Sequence, residues 1–188
     1  MKKPDSHYNK EGDHYLVEIK LNEIRQLFNS FDPAPFREKD LEPGAEAYII
    51  DSVQEFHLAT PIKLVLHLPV DACTDEAASN VPAAIHNYFS YRAEITAKEL
   101  HFTLQQGRIA LVIGLGFLFL CITAQQVIAS VGKTSLIWSI IEEGFLISGW
   151  VAMWRPIQVF LYDWWPIRRR GRIYEKLAQL PVSLRAYS

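Results

Sequence analysis

Hydrophobic residues in the second half of the chain form two long segments, Ile109–Val131 and Ser135–Leu161, separated only by residues 132–134. The first segment has 23 residues and no charge. At roughly 1.5 Å per residue, a helix of that length covers the ~30 Å hydrocarbon core of a bilayer. The pattern therefore predicts a transmembrane helical hairpin over residues 108–161, with spans at about 109–131 and 135–157.

The sequence allows two positions for the end of the second span. In one register the span is Ser135–Trp154, with Arg155 at the cytoplasmic headgroups and Pro156 bending the chain onto the membrane surface. In the other it is about Gly144–Trp165, with Arg155 reaching the headgroups from within the membrane. The first register is favoured because the short loop would otherwise leave residues 135–141 unused.

Alternation and helical spacing organise the first half of the chain. Period-two alternation predicts two strands, Tyr15–Leu21 and Ile62–Leu68. Between them, apolar residues at helical spacing predict a short helix over Glu23–Asn29, with Asn22 as its N-cap, and a second helix over Pro43–Phe56. The first half therefore mixes strands and helices.

A further long helix is predicted to start near residues 80–81 and to run toward Gln106. The order β-α-α-β-α gives a small cytosolic α/β domain of α+β class over residues 15–107, between a flexible N-terminus over 1–14 and an interfacial and basic cytoplasmic tail over 162–188. Two strands alone make a marginal sheet. Pairing across subunits, or further strands, is expected to complete it.

Positive charges flank the predicted hairpin on one side. Arg92, Lys98 and Arg108 precede the first span and an arginine-rich run, residues 168–172, follows the second, whereas the loop carries only Lys133. The positive-inside rule then predicts that both termini are cytoplasmic and that the loop lies outside. The net charge of -2 gives no electrostatic argument for binding nucleic acid.

Aromatic and basic side chains beside the second span are predicted to contact lipid headgroups. They are Arg155, Trp164, Trp165, Arg168, Arg169, Arg170 and Arg172. Tryptophan is enriched at membrane interfaces, and basic residues near anionic lipid contribute about 1 kcal/mol each. The arginines are also explained sufficiently as a topology signal, so recognition of a specific lipid is the lesser alternative.

Small residues recur at a spacing that suits close helix packing. Gly144, Ser148 and Ala152 lie four residues apart on the second span, and Ala110 and Gly114 do so on the first. Such faces let backbones approach where lipid provides no hydrophobic driving force. We expect the face on the second span to be a helix contact that closes the hairpin or joins two subunits.

Four polar residues are predicted to lie at membrane depth: Gln125, Gln126, Glu142 and Glu143. An antiparallel hairpin brings these positions together, and a carboxylate there needs a partner, a proton or water. One interpretation is a proton or cation site, or the lining of an oligomeric pore. The favoured one is a hydrogen-bonded cluster that fixes helix register, or a pair at the outer interface.

Known catalytic and metal-binding patterns are absent from the sequence. Cys73 and Cys121 fall in different predicted environments, which argues against a disulfide, and the six histidines lack ligand spacing. No glycine-rich phosphate loop or catalytic triad order is visible, so no cofactor and no metal is expected. Residues 1–15 lack the apolar core of a secretory signal, which favours a cytosolic first half.

Three motifs carry a resemblance to known proteins. Residues 31–41 (FDPAPFREKDL), 149–156 (GWVAMWRP) and 162–166 (YDWWP) resemble a family of small uncharacterised bacterial membrane proteins. The resemblance covers most of residues 15–182 and implies a location in the bacterial inner membrane. It implies no activity, so it assigns no functional residue.

The leading hypothesis is an integral membrane protein with a structural or interaction role. Its expected partners are the lipid bilayer and either further copies of itself or another membrane or cytosolic protein. The first alternative is an oligomeric channel or transporter subunit that uses Glu142 and Glu143, because two helices alone cannot enclose a conducting path. The second alternative is a membrane-bound enzyme.

Overall fold

The computed structural model describes residues 8–130 and 136–187, which divide into two compact units. The first, here called the sheet unit, comprises the chain up to Ile95 and again from Arg169. The second, here called the helical unit, comprises Thr96–Arg168. The predicted hairpin loop with Lys133 and the beginning of the predicted flexible N-terminus lie outside the described residues.

The sheet unit contains four strands in the order β1-β2-β3-β4: β1 (Lys10–Glu11), β2 (His14–Lys20), β3 (Ile62–Pro69) and β4 (Val182–Tyr187). The first two strands form an antiparallel hairpin in which Gly12 has a φ of 60°, a conformation that glycine adopts without steric penalty. The other pairs are parallel, with Tyr15 beside Ile62 and Leu64 beside Val182.

The predicted order β-α-α-β-α lacks two of these strands. β1 lies in the predicted flexible N-terminus, and its two polar residues are too few to show an alternation pattern. β4 lies in the expected basic tail, where Val182 and Leu184 alternate with Ser183 and Arg185. The sheet is therefore completed within one chain, and no second subunit is needed to pair with β3.

The predicted helix over Glu23–Asn29 is reduced to a single 3-10 turn, Ile24–Leu27. Phe28 turns to an extended conformation and forms an isolated antiparallel bridge with Leu41, so the helix ends after one turn. Two further 3-10 turns are Phe36–Glu38 and Val70–Ala72.

Three helices cover one face of the sheet. They are α1 (Pro43–Gln54), the first part of α2 (Asp75–Ser130) and the end of α5 (Trp164–Leu177). The sheet contributes alternating residues such as Val17 and Leu66, while α1, α2 and α5 contribute Ile49, Phe89 and Leu177. All of these side chains are fully buried, so the residues after the arginine run belong to a folded core.

Helix α2 is continuous for 56 residues and passes through Gly107 without a break. It begins earlier than predicted because the Thr74 hydroxyl accepts the Ala77 backbone N–H at 3.2 Å and caps the first turn. Among the described residues it is the one helix long and apolar enough to cross a membrane, over Ser79–Ser130. Only 11% of its most apolar stretch of 18 residues is buried.

The helical unit continues with shorter segments: α3 (Leu136–Ala152), α4 (Trp154–Gln158) and a π-helical turn (Val159–Asp163) that leads into α5. The fold is thus α+β, with a small four-stranded sheet and one long apolar helix. The predicted two-helix transmembrane hairpin stays a prediction.

Candidate functional site

Helix α2 contacts α3 at places where one backbone lacks a side chain. A methyl group built on Gly149 would lie 2.8 Å from Leu118 Cδ1 and 3.2 Å from Cys121 Cβ. A methyl group on Gly114 would lie 3.0 Å from the Ala152 carbonyl oxygen. Positions rise along one helix as they fall along the other, so the two helices are antiparallel.

The contact continues past the end of α3. A methyl group on Gly107 would lie 2.6 Å from Cγ1 of Val159, which is itself 1% exposed. Gly149, Ala152 and Val159 therefore contact α2, and the buried Pro156 lies between the last two, so that the four positions are separated by alternating steps of three and four residues. This spacing is typical of antiparallel helix packing.

The structure places the predicted small-residue faces differently from one another. Gly114 and Ala152 meet, and Ala110 is half-buried. Gly144 and Ser148 are exposed, and nothing lies within 4 Å of a methyl group built on Gly144. Gly149 lies outside the predicted face because that face contains only small residues at every fourth position, whereas the observed contact alternates steps of three and four residues and includes larger side chains.

The four predicted polar residues at depth are divided between two environments. The Gln125 side-chain amide donates to Glu142 Oε1 over a long distance of 3.4 Å, and both residues are half-buried. Gln126 and Glu143 are exposed. Adjacent helical positions point about 100° apart, so only one residue of each pair can face the other helix. The arrangement is one inward contact and two outward polar side chains.

Arg155 and Asp163 form an ion pair, with Arg155 Nη1 3.1 Å from Asp163 Oδ2. From the sequence, Arg155 and Asp163 are expected to be separate interfacial charges, because Pro156 lies between them. In a regular helix, two positions eight residues apart differ in direction by about 80°. The π-helical turn Val159–Asp163 winds less per residue and removes most of that rotation. Pro156 sits in the first turn of α4, where a proline is tolerated.

The predicted headgroup residues follow this ion pair. The Trp164 indole N–H donates to the Phe160 carbonyl at 2.8 Å, and the Arg168 guanidinium lies 5.7 Å from the Trp164 ring. Trp165 is half exposed, and Arg168, Arg169, Arg170 and Arg172 are all exposed. Trp164 is therefore turned toward its own helix, while Trp165 and the arginine side chains extend outward.

Among residues 8–130 and 136–187, no group of three or more His, Cys, Asp or Glu side chains is placed to hold a metal ion. Comparison with protein families, curated proteins and solved structures finds no match to this chain. The resemblance to bacterial membrane proteins therefore stays a hypothesis.

Proposed function

We propose that this chain is an integral membrane protein whose two apolar helical segments cross the bilayer as a hairpin. In this proposal the sheet unit serves as a structural or interaction module on the cytoplasmic side. The observation that carries the proposal is the sheet itself, which takes β2 and β3 from before the apolar segments and β4 from after them.

Strands that share backbone hydrogen bonds must lie in the same compartment, because a bilayer cannot pass through a sheet. β3 and β4 are paired from Leu64 with Val182 to Pro69 with Tyr187. The chain between them must therefore cross a membrane an even number of times. With α2 apolar enough to cross once, a return through α3 satisfies this condition.

Exposed apolar side chains along the helical unit support a lipid environment. Val112 and Phe119 on α2 are 72% and 70% exposed, and Ile137 and Val151 on α3 are exposed to a similar degree. Soluble monomers rarely expose contiguous apolar patches larger than a few hundred Å². Hydrocarbon surrounding these helices would remove the cost of exposing them to water.

The distribution of charge supports the orientation. Arg108 precedes the first apolar segment, and Arg168, Arg169 and Arg172 follow the second with exposed side chains. By the positive-inside rule this distribution supports a cytoplasmic sheet unit and cytoplasmic termini. The resemblance noted above extends the proposal to the bacterial inner membrane.

An oligomeric channel or transporter subunit is the second candidate. It is favoured by the outward positions of Gln126 and Glu143, which would meet another copy of the chain in a membrane. Flux into liposomes tests it through the pair of substitutions Glu142→Gln and Glu143→Gln. Lost flux with unchanged assembly supports transport, whereas lost assembly supports a structural role for these carboxylates.

Cysteine labelling in intact and lysed spheroplasts tests the topology. Cys121→Ala leaves Cys73 as a reporter of the sheet unit before the apolar segments. In a background without native cysteines, Glu175→Cys reports the segment after them and Lys133→Cys reports the loop. A membrane-impermeant maleimide should label the loop position in intact spheroplasts and the other two positions only after lysis.

Two results would contradict the hairpin. Opposite accessibility of Cys73 and Glu175→Cys would require an odd number of crossings and a broken sheet. Release of the protein from membranes by alkaline carbonate would show that the apolar helices do not span the bilayer.

A further inference from the structure

A closed loop of the sheet unit, residues 29–40, is held by hydrogen bonds at its base. The Asn29 N–H donates to the Asp40 carbonyl at 2.8 Å. The Asp32 carboxylate accepts two backbone N–H groups, from Ala34 at 2.9 Å and from Asp40 at 2.6 Å. These bonds favour the ionised carboxylate and lower the pKa of Asp32. We call this segment the Asp32 loop.

Contacts with α2 fix the Asp32 loop on the sheet unit. The Arg37 guanidinium donates twice to Asn80 Oδ1, at 3.0 and 2.8 Å. In return, the Asn87 side-chain amide donates to the Arg37 carbonyl at 3.0 Å. The loop is therefore pre-organised, which reduces the entropy that a binding partner has to overcome.

The Asp32 loop presents an aromatic side chain to solvent. Phe31 is 94% exposed, the highest value for a large hydrophobic side chain among the described residues. Its backbone is fixed, because the Phe31 N–H donates to Asn29 Oδ1 at 2.9 Å. The loop's other phenylalanine, Phe36, packs against Phe28 with ring centroids 4.8 Å apart. An aromatic ring held outward on a rigid loop is typical of an interface anchor.

A cavity of about 420 Å³ lies beside the loop and reaches Asp32, the residue that follows Phe31 in the chain. It is lined by three carboxylates, two tyrosine rings and an amide: Asp32, Glu38, Asp40, Tyr88, Tyr91 and Asn87. Tyr91 is 58% exposed, whereas Tyr88 is almost fully buried. Burial is the main cause that raises the pKa of Tyr88, and its hydrogen bond with Glu46 raises that pKa further. One ring therefore stays accessible and the other forms a fixed wall.

The charge of this cavity selects the partner. Its described lining contains three carboxylates and no basic side chain. Lys39 lies near Asp32 and balances part of that charge. A lipid surface or nucleic acid would bring phosphates against these carboxylates, which is repulsive. A lysine or arginine is attracted both to the carboxylates and to the Tyr91 ring.

We propose that the Asp32 loop and its cavity bind a basic segment of a partner protein, in which a lysine or arginine side chain enters the cavity and a neighbouring apolar side chain covers Phe31. This site does not depend on the membrane topology proposed above, because all of its residues belong to the sheet unit.

Peptide binding to the full chain in neutral-detergent micelles tests this site. The probe is a fluorescein-labelled octapeptide with two arginines and one leucine in a glycine and serine background. Its control replaces both arginines with glutamate. Fluorescence anisotropy should detect salt-sensitive binding of the basic peptide and none of the acidic one, because the attraction is electrostatic.

Variants locate the binding. Glu38→Gln combined with Asp40→Asn should weaken it by about tenfold or more, and Phe31→Ala by about fivefold. Asp51→Asn with Asp71→Asn removes the same charge elsewhere on the sheet unit and should leave binding unchanged. All variants are measured in the same micelles, and only variants whose thermal unfolding matches that of the native chain are compared.

Two outcomes overturn the proposal. One is the absence of basic-peptide binding at peptide concentrations up to the millimolar range, where even weak docking is detected. The other is an equal loss of binding in the two carboxylate pairs, which would show that net charge alone attracts the peptide.

Discussion

Replacing Gly107 with alanine places a methyl group directly against Val159, the first residue of the π-helical turn in the helical unit. The new carbon would lie 2.6 Å from Val159 Cγ1 and 3.2 Å from Val159 Cβ. The optimal separation of two carbons is about 3.5–4.0 Å, so the overlap is about 1 Å. Val159 is buried and β-branched, so it has few rotamers through which to move aside.

The change in unfolding free energy caused by Gly107→Ala has two opposing contributions. Overpacking of a tight contact costs about 1–3 kcal/mol. Alanine is more favourable than glycine inside a helix by about 1 kcal/mol. Gly107→Ala should therefore destabilise the helical unit by about 0–2 kcal/mol. Gly116→Ala adds a methyl group in open space and should stabilise it by up to about 1 kcal/mol.

The difference between the unfolding free energies of Gly116→Ala and Gly107→Ala cancels the contribution of helix propensity. What remains is the packing cost of about 1–3 kcal/mol. Val159→Ala should recover most of this cost in combination with Gly107→Ala, because it removes the contacting Cγ1. The double-mutant cycle should give a coupling free energy of the same size. Gly149→Ala should have an intermediate effect, since its nearest neighbour is the flexible end of Leu118.

Unfolding in mixed micelles of dodecyl maltoside and SDS, followed by tryptophan fluorescence, measures these differences. All five tryptophans lie between Trp138 and Trp165, so the signal reports on the helical unit. Equal unfolding free energies for Gly107→Ala and Gly116→Ala would refute the packing described here. So would a Val159→Ala background that fails to relieve Gly107→Ala.

Three further predictions concern the sheet unit. Glu46→Gln removes the ion pair in which Arg92 Nη2 lies 3.0 Å from Glu46 Oε1, and should lower the free energy of thermal unfolding by about 1–3 kcal/mol, between the values for exposed and buried pairs. The hydrogen bond from His67 lowers the pKa of Glu18. The ionised Glu18 carboxylate therefore stabilises the fold fully above the ordinary glutamate pKa, and this stabilisation is lost as the pH falls through the lowered pKa. The difference in melting temperature between the native chain and Glu18→Gln should therefore narrow as the pH falls from 7 to about 3. Ending the chain after Pro181 removes β4 and should abolish cooperative unfolding of the sheet unit in circular dichroism, whereas an unchanged transition would mean that β4 is dispensable.

Regular repeats over several residues made the main elements predictable. Strands β2 and β3 lie within a residue or two of the predicted bounds, because apolar residues recur at every second position in both, although Leu16 and Val65 on the other face are buried as well. Helix α1 begins at the predicted Pro43, where Glu42 caps the first turn by accepting the Ala45 N–H. In these cases local chemistry and tertiary packing favour the same structure.

Short or mixed signals account for the differences. β1 has only two residues, and β4 follows an arginine run that suggested a tail. Its place in the sheet comes from pairing with β3, more than a hundred positions earlier, which no local pattern reveals. The Arg155–Asp163 pair likewise depends on a π-helical turn that composition does not predict.

The late position of β4 makes sheet assembly depend on the order of synthesis. β3 leaves the ribosome long before β4, so one of its edges stays unpaired while residues 96–168 are being made. In the proposed topology, a chain that inserts only one apolar segment delivers β4 to the wrong compartment and keeps that edge open. Exposed edges are targets for aggregation and proteolysis. Completion of the sheet would thus act as a checkpoint that retains only correctly inserted chains.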